Sequence, residues 1–200
     1  MIFEATPLPG VYVLKPEKRC DSRGFFARTW CADEFAAHGL TTEFVQRNLS
    51  VNPERGTLRG MHYQAAPYQE DKLVSCTRGA IFDVVVDLRL ASPTYLCWYG
   101  VELTDGDYNM LYVPKGFGHG FQSLTDDCEV NYLVSQSYHP EASRGVRADD
   151  PAINIRWPLE VTRISEQDLS WPLLDEQAYT GIARAVPPSS GDRRQVVRQA

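Results

Sequence analysis

Cysteine is sparse in this sequence and is not arranged in pairs. The five cysteines are scattered along the 200 residues and form no CxxC motif. A disulfide framework, a zinc site built on cysteine pairs and a CxxC redox centre are therefore not indicated, and we expect reduced thiols. Histidine is also scarce, with four copies, which disfavours a metal site that needs three of them.

The chain also lacks an excess of basic residues and any long apolar run. With 20 Lys and Arg against 26 Asp and Glu, its net charge is −6, which argues against non-specific nucleic-acid binding. A small anionic ligand needs only a few basic residues in one cleft and is not excluded. Prolines and a glutamate interrupt the N-terminal MIFEATPLPG, and no later stretch approaches a membrane span. We therefore expect a cytoplasmic protein without a membrane partner.

What the sequence does have is the composition of a folded domain. Hydrophobic residues make up 43% and charged residues 23%, values typical of globular proteins. We predict one domain over residues 1–183. Residues 184–200 are polar and proline-rich without a periodic apolar face, and they are predicted to form a flexible tail.

The middle of the chain has the pattern of short strands. Between about residues 43 and 135, runs of Val, Leu, Tyr, Phe and Thr are broken by Gly, Pro, Asp and Asn, which favours an all-β sandwich or barrel. Two strands within 72–89 are predicted to meet in a hairpin turn at Arg78 and Gly79. Further strands are predicted within 95–103, 109–124 and 129–135. The predicted fold class is all-β, a jelly roll with a few short helices.

Two segments outside these strands favour short helices. Residues 31–39, CADEFAAHG, are rich in alanine and end at Gly39, a common helix stop. Near the C-terminus, Ser165 is followed three residues later by Asp168, a spacing that favours a helix start.

The stretch RGMHYQ (59–64) contains the histidine of greatest interest. Two-residue alternation places Arg59 and His62 on opposite faces, but Gly60 is a candidate bulge site that would let both converge on one ligand. A packed core histidine and a metal ligand are the alternatives. A metal-binding cupin would offer a second histidine at position 64, where this chain has glutamine. The barrel is therefore expected to work without metal.

Four other polar side chains on predicted strands or helices allow both a structural and a functional interpretation. Asp83 shares its strand face with apolar residues, either as a buried, paired carboxylate or on a partly solvated face with Asp87. His119, between Phe117 and Phe121, fits a ligand-facing role or a packing role equally. Tyr132 points inward by its parity with two valines. Asp168 has an ordinary alternative role as a capping residue.

The order of several motifs resembles a known family. These motifs are DSRGFF (21–26), LRGMHYQ (58–64), KLV (72–74), FDVVVDLR (82–89), SPTY (92–95), VPKGFGHGF (113–121), DDPAINIRWP (149–158) and SEQD (165–168). Together they resemble the dTDP-4-dehydrorhamnose 3,5-epimerase family, over roughly residues 1–175. The resemblance implies a cupin-like jelly roll that needs no cofactor and inverts carbons beside the ketone of a nucleotide-linked, typically dTDP-linked, 4-keto-6-deoxyhexose.

The resemblance also implies roles for individual residues. His62 resembles the family's base, oriented by Asp168, and Tyr132 resembles the acid on the opposite side of the sugar. Lys72 resembles the group beside the enolate oxygen. An imidazole suits this task because its ordinary pKa is near neutrality.

Substrate-binding roles follow from the same resemblance. Arg23 and Arg59 are similar to phosphate-contacting residues, for which a guanidinium is well shaped. The positions implied around the sugar or nucleotide are Phe26, Gln46, Asn48, Asp83, His119 and Tyr138. A homodimer is implied as well.

The chain departs from the family pattern at three places. Arg28 stands where a glutamate is expected, Met61 stands where a leucine is expected, and residues 65–71 are more acidic than expected. Which nucleobase and sugar are bound, and whether C3, C5 or both are inverted, stay open. A sugar-nucleotide-binding jelly roll without turnover and a metal-dependent cupin are the competing functions, the second disfavoured by the missing histidine.

Overall fold

The computed structural model describes residues 1–174 and the backbone of residues 195–197. These residues form two six-stranded sheets and a separate two-stranded hairpin. In spatial order, the first sheet contains β1 (Ile2–Ala5), β2 (Tyr12–Lys15), β10 (Met110–Val113), β7 (Lys72–Arg78), β12 (Cys128–Val134) and β5 (Gln46–Asn52). The second sheet contains β13 (Ser143–Gly145), β6 (Leu58–Gln64), β11 (Phe117–Ser123), β8 (Ala80–Asp87), β9 (Trp98–Thr104) and β14 (Gln195–Val197).

Successive strands pass back and forth between the two sheets. The chain runs from β5 to β8 by changing sheet at every step, pairs β8 with β9 within the second sheet, and alternates again from β10 to β12. This is the strand path of a jelly roll. The predicted fold class is confirmed.

The helices are short and peripheral. They are α1 (Ala32–Ala37), a 3₁₀ turn (Pro140–Ala142) and α2 (Glu166–Ser170). α1 lies within the predicted segment 31–39 and is followed by Gly39 with a φ of +68°, a left-handed conformation that glycine adopts without strain. α2 begins after Ser165, as predicted. No helix in the described part of the chain is long and apolar enough to cross a membrane.

Alternating side chains divide the core into three layers. Leu111 and Val113 of β10 point between the sheets, where the main cluster lies, whereas Met110 and Tyr112 pack with Phe35 of α1 on the outer face of the first sheet. A third cluster covers the outer face of the second sheet. Strand alternation thus provides the apolar contacts that hold the helix and the C-terminal segment onto the sheets.

The predicted hairpin at Arg78 and Gly79 is wrong. β7 pairs with β10 and β12, whereas β8 pairs with β11 and β9, so the turn carries the chain from one sheet to the other. Gly79 has a φ of +76°, and its N–H donates to the Asp105 carboxylate at 2.9 Å. A local turn signal does not reveal whether the flanking strands pair with each other.

Two strand boundaries also differ from the prediction. The candidate at 109–124 is two strands in different sheets, because the chain turns at Pro114 to Gly116. The candidate at 95–103 becomes extended only at Trp98, after Leu96 with a φ of +60°.

Other expectations concern the cysteines and the C-terminus. All five cysteines are free thiols, as expected. The predicted domain boundary at 183 and most of the predicted tail lie outside the described residues. Within that tail, β14 pairs in parallel with β9.

Candidate active site

A β-bulge in β6 sets the direction of the side chains around His62. Opposite β11, His62 is the partner of His119 and Arg59 is the partner of Phe121, so β6 has one extra residue in this interval. Gly60 has a φ of +123°, and a Cβ there would lie 2.5 Å from the Cα of Gly120. The predicted bulge is therefore present, and Arg59 and His62 both line one cavity.

His62 and Asp168 form a hydrogen-bonded pair. The two atoms, His62 Nε2 and Asp168 Oδ1, are 2.5 Å apart. A carboxylate only accepts, so Nε2 carries the hydrogen and the other ring nitrogen keeps its lone pair in the neutral ring. The His62 side chain is 44% exposed, whereas that of Asp168 is 5% exposed. The core-histidine alternative is therefore wrong.

The Asp168 carboxylate is held in its ionised form. Burial by itself raises the pKa of Asp168, but hydrogen bonds from the His62 ring and the Gly60 N–H outweigh burial and lower the pKa below its ordinary value. The Asp168 N–H donates to Ser165 Oγ at 3.0 Å, which caps α2. The side chain of Asp168 is free for His62 because Ser165 provides the cap.

His62, Lys72 and Tyr132 line one cavity, which we call the tyrosine cavity. Its volume is about 510 Å³, and its lining includes Gln46, Asn48, Glu70 and Tyr138. His62 lies on β6 of the second sheet, whereas Lys72 and Tyr132 lie on β7 and β12 of the first. A ligand in this cavity would lie between side chains of the two sheets.

Tyr132 is suited to donate a proton. Burial raises the pKa of its phenol, the positive charge of Arg59 opposes that rise, and the negative charge of Glu70 adds to it. The pKa is raised overall, so the hydroxyl stays protonated at neutral pH. The predicted inward direction of Tyr132 is confirmed by its packing against the core between the sheets.

Arg59 and Arg163 line a second cavity, which we call the arginine cavity. Its volume is about 680 Å³, and it shares His62 with the tyrosine cavity. Arg59 Nε donates to Asn52 Oδ1 at 2.7 Å and Arg163 Nε donates to Glu54 Oε2 at 2.5 Å. Each guanidinium has further N–H donors, which suit an anionic group.

Asp83 and His119 form a second carboxylate and imidazole pair. Asp83 Oδ1 lies 2.7 Å from His119 Nε2, and the two residues are 0% and 8% exposed. The partly solvated alternative for the Asp83 face is wrong, because Asp87 is fully buried too. Neither Asp83 nor His119 belongs to the lining of the two cavities. Of the two roles considered for His119, the structure shows the packing one, since the ring is buried against the Asp83 carboxylate.

The remaining predicted substrate-binding residues fall into two groups. Gln46, Asn48 and Tyr138 line the tyrosine cavity, and Gln46 Oε1 accepts a hydrogen bond from the Tyr138 N–H at 2.7 Å. Arg23 and Phe26 instead lie on the exposed hairpin formed by β3 (Arg19–Asp21) and β4 (Gly24–Phe26). Within one copy of the chain they are not brought to either cavity.

The structure shows what two of the departures from the family pattern contact. Arg28 forms an ion pair with Glu34 of α1 at 3.0 Å. Met61 is fully buried in the outer cluster of the second sheet.

Sequence reasoning missed several cavity residues, of which Glu70, Gln167 and Arg163 matter most here. Glu70 contacts the ammonium group of Lys72, Gln167 lines both cavities, and Arg163 lines the arginine cavity. The acidic segment 65–71 was a signal for Glu70, because a carboxylate two residues before a strand lysine projects to the same side. Gln167 and Arg163 lie far along the chain from β6, and only the tertiary fold brings them to it.

Among the described residues, no three His, Cys, Asp or Glu side chains are grouped so that they could hold a metal ion. That the protein needs no metal remains a prediction.

Comparison with known proteins identifies the family. A family model described as dTDP-4-dehydrorhamnose 3,5-epimerase matches residues 5–176. The chain belongs to this family. The resemblance seen in the motifs is thereby confirmed, and with it the enzyme class, an isomerase of the epimerase type.

Individual epimerases cover nearly the whole described chain. The dTDP-4-dehydrorhamnose 3,5-epimerase of Methanothermobacter thermautotrophicus is 45% identical, over 88% of this chain and 97% of its own. The dTDP-4-dehydrorhamnose 3-epimerase of Streptomyces niveus is 42% identical, over 88% and 84%. The 3,5-epimerase of Bacillus anthracis, solved with TDP and pyrophosphate bound, has a TM-score of 0.83 at 38% identity, over 86% and 99%.

Proposed function

We propose that this family member inverts C3 and C5 of a dTDP-linked 4-keto-6-deoxyhexose by proton transfer, without a cofactor. The observation that carries the proposal is the tyrosine cavity itself. A base held by a carboxylate, His62 with Asp168, lies on one sheet, and an acid, Tyr132, lies on the other. Such an arrangement suits removal of a proton from one face of a ring and its return to the other.

The ketone makes the reaction possible. A C4 carbonyl acidifies the hydrogens on C3 and C5, so His62 removes one of them through its free ring nitrogen and the electron pair moves onto the ketone oxygen. The ammonium group of Lys72 stabilises this enolate in a partly desolvated cleft. Tyr132 then gives its proton to the same carbon from the opposite face, which inverts the centre.

Asp168 supports the base in two ways. Its ionised carboxylate fixes the hydrogen on Nε2 of His62, and it stabilises the imidazolium that forms when the ring takes a proton. Arg59, in the adjoining arginine cavity, has guanidinium donors for the diphosphate.

The choice of dTDP rests on the relatives. Those at 45% and 42% identity are named for dTDP-linked sugars, and the Bacillus anthracis structure holds TDP. A cytoplasmic location and the absence of nucleic-acid and membrane partners remain predictions.

Deuterium exchange tests the proposal. Incubated in D₂O with dTDP-4-keto-6-deoxyglucose, the native protein should replace the C3 and C5 hydrogens with deuterium, as followed by proton NMR. His62→Ala should lower both rates by roughly 10²- to 10⁴-fold, the usual contribution of a general base. His38→Ala, a change in α1's C-terminal cap, is the control.

The outcomes separate the competing functions. A protein that only binds sugar nucleotides would leave the hydrogens in place, and a metal-dependent enzyme would lose activity with a chelator. Exchange at the native rate by His62→Ala would show that another residue is the base.

Inversion at C3 alone is the second candidate. The Streptomyces niveus relative, named a 3-epimerase, is nearly as similar to this chain as the first relative, a 3,5-epimerase. The same NMR assay distinguishes the two, since a 3-epimerase leaves the hydrogen on C5 and yields a product inverted at one carbon.

A homodimer is part of the proposal. Arg23 and Phe26 lie on an exposed hairpin, with the Arg23 side chain 87% exposed and Phe26 70% exposed. Neither residue reaches the tyrosine cavity or the arginine cavity of its own copy, so a second copy of the chain would have to bring them to a site.

A further inference from the structure

The Lys72 ammonium is not alone in the tyrosine cavity. It contacts Oε1 of Glu70, and the side chains of Lys72 and Glu70 are 11% and 10% exposed. Both residues line the cavity together with His62 and Tyr132. The wall that meets the ketone in the proposed reaction therefore presents a hydrogen-bond donor and an acceptor side by side.

Glu70 is held in place by the surrounding chain. Its Oε2 accepts a hydrogen bond from Gln64 Nε2 at 3.0 Å. Gln64 is itself fixed, because the two N–H groups of Nε2 are shared with the carbonyl oxygens of Tyr68 and Ser137, each 3.1 Å away, and Oε1 accepts from the His139 N–H at 2.6 Å. The carboxylate is thus oriented before any ligand enters.

Both members of the pair keep unused hydrogen-bonding capacity toward the cavity. Each carboxylate oxygen can accept more than one hydrogen bond, and the lysine ammonium has N–H groups beyond the one directed at Glu70. A ligand that offers an acceptor and a donor on adjacent atoms would satisfy both. An α-hydroxyketone is such a ligand.

We propose that Lys72 and Glu70 together recognise the α-hydroxyketone of the sugar, with Lys72 donating to the C4 ketone oxygen and Glu70 accepting from the C3 hydroxyl. This inference rests on the proposed function. On the other side of the ketone, C5 carries a methyl group and the ring oxygen, neither of which can donate to a carboxylate. Glu70 is therefore a specificity residue that distinguishes C3 from C5.

The test separates this role from a merely structural one. Both enolates place their negative charge on the same ketone oxygen, so any displacement of Lys72 slows exchange at both carbons alike. Loss of the bond to the C3 hydroxyl instead misplaces C3 relative to His62. The ratio of the C3 and C5 exchange rates therefore reports on Glu70, while their common level reports on Lys72.

The variants are Glu70→Ala, Glu70→Gln and Lys72→Met, compared in D₂O with saturating dTDP-4-keto-6-deoxyglucose. Glu70→Ala should slow C3 exchange roughly ten- to hundredfold, the effect of losing a hydrogen bond to a charged group, and lower the C3 to C5 ratio at least about fivefold. Glu70→Gln, which keeps an acceptor oxygen, should give an intermediate ratio. Lys72→Met should slow both exchanges and keep the ratio. Glu129→Gln, a half-buried glutamate on β12 that lines neither cavity, is the control.

A second substrate tests directly whether Glu70 contacts the C3 hydroxyl. With dTDP-4-keto-3,6-dideoxyglucose, which lacks the C3 hydroxyl, native enzyme should exchange the C5 hydrogen with a lower kcat/KM than with the hydroxylated sugar. Glu70→Ala should treat the two sugars nearly alike. If Glu70→Ala fails to fold, Glu70→Gln decides both measurements.

An unchanged C3 to C5 ratio in the Glu70 variants, whatever the common rate, would overturn the inference. So would undiminished preference of Glu70→Ala for the hydroxylated sugar. Failure of the proposed function looks different, because the native protein itself would then exchange neither carbon, or C3 alone.

Discussion

At the scale of single residues, the proposed chemistry depends on pairs that are distant in sequence. His62 and Asp168 are separated by 106 positions, yet their side chains share a 2.5 Å hydrogen bond. Because that bond fixes the hydrogen on one ring nitrogen, the other nitrogen is available as the base. The buried phenol of Tyr132, whose pKa is raised, is available as the acid.

Replacement of Tyr132 by Phe should separate proton removal from inversion. The ring and its packing remain, but the proton for the opposite face is lost. Formation of inverted product should fall by roughly 10²- to 10⁴-fold, whereas exchange of deuterium into unreacted substrate should fall much less. NMR of one reaction mixture measures both quantities.

Tyr108→Phe, at an exposed tyrosine beside the β3 and β4 hairpin, is the matched control. Inverted product formed by Tyr132→Phe at the native rate would show that a different group returns the proton.

At the scale of structural elements, the bulge in β6 and the loop after β8 are the informative features. The bulge turns Arg59 and His62 toward adjoining cavities, and it requires glycine because β6 and β11 come into backbone contact there. Asp87 stabilises the loop after β8, because its carboxylate accepts hydrogen bonds from Arg89, Ser92 and Thr94.

Gly60→Ala should damage both stability and activity. Its Cβ would lie 2.5 Å from the Cα of Gly120 and 2.8 Å from the carbonyl oxygen of His119, at a φ of +123°. We expect the free energy of unfolding to fall by at least about 2 kcal/mol and deuterium exchange to slow as His62 moves. Urea denaturation and the NMR assay measure the two effects.

Gly106→Ala is the control, since a Cβ there meets nothing nearer than 3.8 Å. Native stability in Gly60→Ala would mean that the strands can separate at the bulge without cost.

In Asp87→Asn, the free energy of unfolding should change less than in the native protein as the pH is lowered. Burial raises the pKa of Asp87, but hydrogen bonds from Arg89, Ser92 and Thr94 outweigh it and lower the pKa below its ordinary value. The ionised Asp87 carboxylate therefore stabilises the folded protein at pH values above the ordinary pKa of an aspartate. This stabilisation is lost as the pH falls through the lower pKa that Asp87 has in the folded state. The variant should lose about 2 kcal/mol near neutral pH, and its difference from the native protein should narrow in acid.

Urea denaturation across this pH range gives the difference directly. Asp107→Asn, on the surface, provides the comparison. A difference that stays constant or widens toward low pH would contradict the assignment.

At the scale of the whole molecule, two sheets supply opposite walls of one cavity, and a hairpin lies outside it. His62 comes from the second sheet and Tyr132 from the first. Arg23 and Phe26 remain on the β3 and β4 hairpin. The Lys18 ammonium lies 5.0 Å from the ring centroid of Phe25 in this hairpin and 4.8 Å from that of Tyr108.

Subunit mixing tests whether a second copy completes the site. If Arg23 acts across a dimer, a dimer of one Arg23→Ala chain and one His62→Ala chain contains one site with both native residues. Co-expression of the two variants should then restore up to about a quarter of native activity, given random pairing. Analytical ultracentrifugation should show dimers. A monomer, or a mixture no more active than its parts, would contradict the dimer proposal.

Much of the fold could be predicted because it depends on local patterns. Strand alternation predicted the inward direction of Tyr132, a glycine inside a strand predicted the bulge at Gly60, and Ser165 predicted the start of α2. The change of sheet at Gly79 could not be predicted, since a turn signal is the same whether the next strand pairs with the preceding one or joins the other sheet.

By itself, the sequence determined the jelly roll and the family and indicated the side chains proposed to transfer protons, because hydrophobic alternation and ordered motifs are properties of the chain itself. Only the tertiary structure decided which side chains meet. Glu70 with Lys72, Asp83 with His119 and Gln167 beside both cavities depend on the packing of two sheets and on where α2 lies against β6. Contacts between distant segments are set by that packing, which no local pattern encodes.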